Sequence, residues 1–221
     1  MKKIFLVAAL VLPLLTNAQS KKVELNTFED SLSYAVGCDI ANGLQQLPVD
    51  YHILTQAMLD FSKGESRFSE EEVKKVLNEL QLRQQKHMEN EAQKNIETGK
   101  KFLEENRNSK SVYETPSGLQ YKVIEQGKGN KPTATDKVRF HYRGTLLDGT
   151  QFDSSYDRGQ PLVGEVNRFI AGWVEGMQLM TEGSKYIFYI PSHLGYGNFP
   201  AGQIPPGSLL IFEVELIEIV K

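Results

Sequence analysis

Hydrophobic and polar positions change their rhythm about halfway along the chain. In the second half they alternate: Val138, Phe140 and Tyr142 are separated by Arg139 and His141, Leu119, Tyr121 and Val123 by polar residues, and residues 186–190 keep the same period. A period of two belongs to a half-buried strand, with one face on a core and the other in water. Residues 209–220 form the longest such segment, with Phe212, Val214 and Leu216 on one face and Glu213, Glu215 and Ile217 on the other. Asp148-Gly149 signals a two-residue hairpin turn. Its return strand carries Phe152 and Asp153 in succession, which points one to each face unless a bulge re-aims them. Within 169–179, Ile170, Trp173, Val174 and Met177 keep helical spacing. One short helix against a curved antiparallel sheet is an α+β design.

The first half reads in helical periods. Within 27–46, Leu32, Val36, Ile40 and Leu44 fall four apart behind the capping residues Thr27 and Asp30. Asp50 caps a second helix carrying Leu54, Met58 and Phe61, which ends near Gly64. A third begins at a capping box, Ser69 with Glu72, and a hydrophobic staple, Phe68 with Val73. Its apolar positions Val73, Val76, Leu77 and Leu80 thin to Met88, Ala92, Ile96, Phe102 and Leu103. From Glu70 to about Asn106, at about 1.5 Å per residue, it spans roughly 55 Å. So sparse a stripe predicts a mostly solvated spacer, and the heptad positions are too interrupted through 84–95 for a coiled coil. Residues 106–109 break the helix, and Pro116-Ser117-Gly118 introduces the strand-rich domain.

Two short amphipathic helices bury little by themselves, so the first two need a partner surface, and a second copy of the chain is the simplest. The predicted organisation is a leader over 1–18, an all-α dimerisation region over 19–68, a long connecting helix over 69–108 and the sheet domain over 109–221. The leader has the pattern of a signal peptide: Lys2-Lys3, an apolar run from Ile4 to Leu15, and Ala18 at the cut. The run is too short to span a bilayer comfortably, and no cysteine follows the cut to take a lipid. The reading is an exported protein of the periplasm, with association to the outer membrane as the alternative. Cys38 is the single cysteine, so no intrachain disulfide can form. Burial as a small apolar residue is its expected role, with a bridge across a dimer as the sharper alternative.

Composition excludes little. A net charge of −3 offers no broad basic surface, which sets nucleic acid aside. There is no G-x-S-x-G elbow and no H-E-x-x-H, and His52, His87, His141 and His193 lack ligand spacing. No metal or cofactor is expected. What remains is a set of aromatic residues, each of which on its own reads as core.

Taken together and in order, these residues resemble the FKBP-type peptidyl-prolyl isomerases. The pattern HYxGxLxDGxxFDSSxxR runs from His141 to Arg158, followed by FIAGW at 169–173, GYG at 195–197, IPP at 204–206 and LIFEVELI at 210–217. The match covers the second half of the chain. The first half is similar to the dimerising helical region of the macrophage infectivity potentiator subgroup.

The resemblance implies an FKBP-like fold and a proline-binding pocket lined by Tyr142, Phe152, Asp153, Phe169, Ile170, Trp173, Tyr196, Ile204 and Phe212, with Arg158 and Leu162 beside it. Tyr142, Asp153, Phe152, Tyr196 and Phe212 would carry catalysis, and the others would hold substrate. The backbone N–H of Ile170 and the hydroxyl of Tyr196 would bind substrate carbonyls. Two roles stay open for Asp153: accepting a hydrogen bond from Tyr142, or facing the carbonyl of the twisting amide. The implied partners are proline-containing unfolded or partly folded polypeptides, and macrolides of the rapamycin class as inhibitors. Leu162 stands where members often carry an aromatic, the loop before Phe169 is shorter, and Arg168 replaces an acidic residue, which together point to weaker macrolide binding. The rival readings are a dimeric holdase that uses the same pocket and cleft without catalysis, and a plain scaffold.

Overall fold

The structure, a computed structural model, describes residues 22–220 apart from Gln46. The predicted leader and the last residue of the first predicted helix therefore lie outside the described residues. The chain divides between Ser69 and Glu70 into two compact units.

The first unit contains α1 (Phe28–Gly43) and α2 (Tyr51–Ser62). A full capping box starts α1: Thr27 Oγ1 accepts from the Asp30 N–H at 3.1 Å, and Asp30 accepts from the Thr27 N–H at 2.9 Å. Asp50 caps α2 by accepting from the N–H groups of His52 and Ile53. Gly64, at φ +76°, stands beyond its last turn, where a left-handed residue ends a helix without a Cβ penalty. No residue of α1 is buried, and Leu32 and Val36 are each 50% exposed. Cys38 is exposed too, which corrects the expectation of burial. It lies on a helix that buries none of its own residues, so nothing in this unit encloses it.

The second unit opens with α3 (Glu70–Asn106), whose bounds agree with the sequence reading. Its character agrees only in part. Val73, Val76 and Leu77 are exposed, but farther along Ala92 and Gly99 are buried and Asn95, Ile96, Phe102, Leu103 and Asn106 are half-buried. The last four turns therefore pack on the sheet domain and are no spacer. Phe102 meets the ring of Tyr189, and Asn106 donates to Gln120, a buried amide that in turn donates to the carbonyl of Leu103.

Seven antiparallel strands follow: β1 (Val112–Glu114), β2 (Gln120–Glu125), β3 (Lys137–Thr145), β4 (Gln151–Ser154), β5 (Leu162–Glu165), β6 (Ser184–Ile190) and β7 (Leu210–Val220). Their order across the sheet is β1-β2-β6-β7-β3-β4, and β5 also pairs with β3. Burial alternates along β6 and through the first seven residues of β7, as the period of two predicts. The inner face packs on α4 (Ala171–Met177), where Trp173 and Met177 meet Phe140, Phe188, Ile190 and Phe212 in one core. This helix is shorter than 169–179, because Phe169 and Ile170 remain extended and Ile170 serves as its N-cap.

The β3–β4 connection corrects a further expectation. A two-residue turn of type I′ needs left-handed backbone at both central residues, but here Gly149 is left-handed (φ +87°) and Asp148 is not. The loop spans 146–150, closed by the Leu146 N–H donating to Thr150 O and the Gly149 N–H to Leu146 O. Asp148 accepts from the Thr150 N–H within it. Among the described residues no helix is long and apolar enough to cross a membrane.

Candidate functional site

A cavity of about 570 Å³ opens between α4, β5, the inner ends of β3, β4 and β7, and the loop 195–209. Trp173 forms its floor, 4% exposed, with its indole packed edge-on against Phe140, Tyr142 and Phe212 at centroid distances of 4.8 to 5.2 Å. The indole N–H is buried without a hydrogen-bond partner. An unpaired buried N–H is expensive, and the rest of the floor is the apolar face of the indole.

The walls depend on a bulge. Gly144 pairs with Asp153 and Thr145 with Gln151, so Phe152 is an extra residue in β4 with no partner on β3. The extra residue cancels the alternation of the pleat, and Phe152 and Asp153 both line the cavity. Phe152 packs edge-on against Phe212 at 5.4 Å. Gly144 lies beneath both rings: a Cβ there would sit 2.6 Å from Phe152 and 2.7 Å from Phe212, so these walls need a residue without a side chain.

On the polar side, Asp153 accepts hydrogen bonds from the Tyr142 hydroxyl and from the Arg158 guanidinium. Arg158 also donates to the Tyr142 hydroxyl at 2.7 Å, and the Ser154 N–H donates to Asp153 at 2.8 Å. Burial raises the Asp153 carboxyl, but these bonds and the positive charge of Arg158 outweigh it and hold the group below its ordinary value of 3.8. Burial is also the main reason Tyr142 is pushed above its ordinary value, with the Asp153 bond adding to it. At neutral pH the site therefore contains a carboxylate, a phenol and a guanidinium, already paired with one another.

Ser155 holds this turn in place. Its buried hydroxyl accepts from the Tyr142 N–H at 2.8 Å and pairs with His141 Nδ1 at 2.9 Å, while its own N–H donates to Tyr142 O at 3.0 Å. Tyr142 and the strand-to-turn corner that delivers Arg158 are thus tied by one side chain. Nothing in the alternation pattern marks Ser155 for that task.

Ten of the eleven residues expected from the sequence line the cavity: Tyr142, Phe152, Asp153, Leu162, Phe169, Ile170, Trp173, Tyr196, Ile204 and Phe212. Arg158 stands behind Asp153, outside the lining. Tyr196 is the most exposed of the ten lining residues at 42%, at the rim, and Ile204 is buried. As the N-cap of α4, Ile170 accepts from the N–H groups of Trp173 and Val174. Arg168 also lines the cavity and lies 3.6 Å from Glu165. Ala201, Gly202 and Gln203 complete the lining and were missed, because small and polar loop residues give no periodic signal.

Comparison with known proteins places this geometry. The family model described as FKBP-type peptidyl-prolyl cis-trans isomerase matches residues 128–217, and the model for the domain amino-terminal to such isomerases matches residues 29–123. The chain is 40% identical over 217 residues to the FKBP-type peptidyl-prolyl cis-trans isomerase FkpA of Aeromonas hydrophila, covering 92% of this chain and 81% of the relative. It is 35% identical over 212 residues to the outer membrane protein MIP of Legionella longbeachae, covering 92% and 91%. The crystal structure of FkpA from Escherichia coli superposes with a TM-score of 0.65 at 34% identity, covering 89% of this chain and 98% of that one.

Proposed function

Given that the chain belongs to the family of FKBP-type peptidyl-prolyl cis-trans isomerases, we propose that the aromatic cavity receives the proline ring of an X-Pro segment and speeds rotation by taking water away from its amide. The observation that carries this reading is the aromatic enclosure of the Trp173 floor by Tyr142, Phe152 and Phe212.

The barrier to amide rotation is about 18 to 20 kcal/mol, because planarity preserves a charge-separated resonance. Water stabilises that charge separation. An apolar cavity removes the water, weakens the planar form and favours the twisted one, whose carbonyl and nitrogen are less polarised. Binding that is tighter for the twisted geometry than for either planar isomer is the condition for catalysis. The N–H of Ile170 and the hydroxyl of Tyr196 then hold substrate carbonyls and fix which bond sits over Trp173. Asp153 takes the first of its two open roles: its bonds to Tyr142, Arg158 and Ser154 make it the brace of the polar wall. No proton moves.

The substrates are proline-containing polypeptides that are not yet folded. The exposed apolar faces of α1 and α2 support a homodimer through the N-terminal helices. The same exposed residues, with Phe61 at 78%, favour client holding as a second reading for that unit. The pattern over 1–18 supports export to the periplasm, and the outer-membrane relative supports a membrane-associated variant of that location. Rapamycin-class macrolides compete for the cavity, weakened by Leu162 and Arg168 at its wall.

A protease-coupled or NMR-exchange assay on a Leu-Pro or Phe-Pro peptide tests the reading. Acceleration that a macrolide suppresses supports it. An inactive, folded protein that still prevents aggregation of a client would leave the holdase in its place.

A further inference from the structure

The last four turns of α3 do more than cover the sheet domain, because what they touch is the root of the loop over the cavity. Asn95 Nδ2 donates to the carbonyl of Pro206 at 2.9 Å. The next residue, Gly207, lies so close to the helix that a Cβ on it would stand 2.2 Å from the carbonyl oxygen of Ala92, and its φ of +73° also favours glycine. One turn on, a Cβ at Gly99 would stand 3.1 Å from that of Leu209. Ala92, Asn95 and Gly99 fall three and four apart, on one face of the helix.

From that root the contact reaches the cavity in two short steps. The Gly207 N–H donates to Gly197 O at 2.9 Å, next to Tyr196. On the other side, Pro205 joins Pro206 to Ile204, which exchanges both backbone hydrogen bonds with Ala201 at 3.0 Å. Tyr196, Ala201 and Ile204 all line the cavity. A helix outside the site thus fixes the backbone that delivers one of its walls.

We propose that α3 is a positioning element of the active site and that Asn95 is its positioning residue, setting how the loop 195–207 stands over the substrate through the carbonyl of Pro206. This rests on the reading of the cavity as the isomerase pocket. Proline has no N–H, so its carbonyl is the one backbone polar group by which Pro206 can be held. Asparagine is also a poor choice for a helix interior on propensity alone.

Asn95→Leu in the full chain keeps the branched outline of the side chain and removes the donor. The expected result is a Tm close to wild type with kcat/KM on a short X-Pro peptide down by about three- to tenfold, the worth of one hydrogen bond. Most of that loss should be in KM, and the amides of Ala201, Ile204 and Gly207 should exchange faster. Gln93→Leu, on the exposed side of the same helix, should match wild type in all of these. Should Asn95→Leu fold poorly, Asn95→Ala is measured in the same way. A folded Asn95 variant with wild-type KM and wild-type loop exchange overturns the proposal. A lowered Tm with unchanged kinetic constants also overturns it, since that is a structural role only. A wild-type protein inactive on every peptide would strike the isomerase reading instead, so the two failures can be told apart.

Discussion

Along the sixteen residues of α1 none is buried, whereas β6 buries every second residue of its seven. Both elements carry apolar side chains at regular spacing. The strand finds its complement inside its own unit, in α4 and β7, and the helix does not. A fully buried aliphatic side chain is worth about 1.5 to 3 kcal/mol, so leaving Leu32, Val36 and Ile40 half in water forgoes several such contributions. Regular spacing says that a face will be covered. It does not say whether the cover lies in the same chain.

The contrast is broken most severely by opening the core of the second unit. Trp173→Ala removes the floor and should cost about 3 to 5 kcal/mol of stability, read by denaturant unfolding, together with most of the activity. Ile40→Ala in the first unit should leave the unfolding of the sheet domain unchanged and weaken the dimer, read by light scattering over a dilution series. Equal destabilisation of the sheet domain by both changes would erase the distinction between the units.

Next in size is the polar wall. Asp153→Ala removes little packing and should lower kcat/KM by about one to two orders of magnitude, each order being ~1.4 kcal/mol of barrier, with a nearly native melt. A folded Asp153→Ala protein as active as wild type would leave cavity shape and dryness to carry catalysis alone. Gly144→Ala should act on the opposite wall by displacing the rings of Phe152 and Phe212, and a crystal structure would locate the shift.

A third test sharpens the boundary. A fragment from Glu70 to Lys221 should be monomeric and should keep its activity on short peptides. One from Ser109 should lose both stability and activity, because it strips Ala92, Gly99 and Phe102 from the surface they cover. Refolding of long clients should suffer in either fragment, since two linked pockets raise the effective concentration at the client. A dimeric Glu70 fragment would move the interface into α3.

The smallest effects are in pH. The Asp153 carboxyl is lowered on folding, so its contribution to stability is complete above its ordinary value and is lost as pH falls through the still lower folded value. Acid should therefore spare the site until below the usual carboxylate range. Tyr156 behaves in the opposite sense: burial, and then its bond to Glu215, pushes it up to about 12. Its contribution holds below the ordinary value of 10.0 and fades as pH rises toward 12. Tyr156→Phe should flatten that part of the alkaline stability profile, read by thermal melts.

The long strands, the N-terminal caps of the first helices and most of the cavity lining were legible because alternation, caps and the ordered motif each carry their own signal. Four features were not. The bulge at Phe152 adds one residue to a short strand, and sequence alone cannot separate that from an ordinary pleat. Asp-Gly serves the two-residue turn and the longer loop alike, since both need a left-handed glycine. The docked end of α3 looks solvated in sequence because its few apolar positions, Ala92, Ile96, Phe102 and Leu103, are completed by Asn95, Gly99 and Asn106, small or polar residues that a hydrophobic stripe does not count. Ser155 escaped for a similar reason: its work is done by hydrogen bonds to Tyr142 and His141, which leave no period in the sequence.

The central claim is that rotation is speeded by a dry cavity without proton transfer. Its most direct test is the catalysed cis-to-trans rate of a Leu-Pro peptide from about pH 5.5 to 8.5, in light and in heavy water, because general acid–base catalysis would leave a pH signature. A clear acceleration, flat with pH and equal in both solvents, is the predicted result. A bell-shaped profile, or a catalysed rate that slows in heavy water, would contradict it.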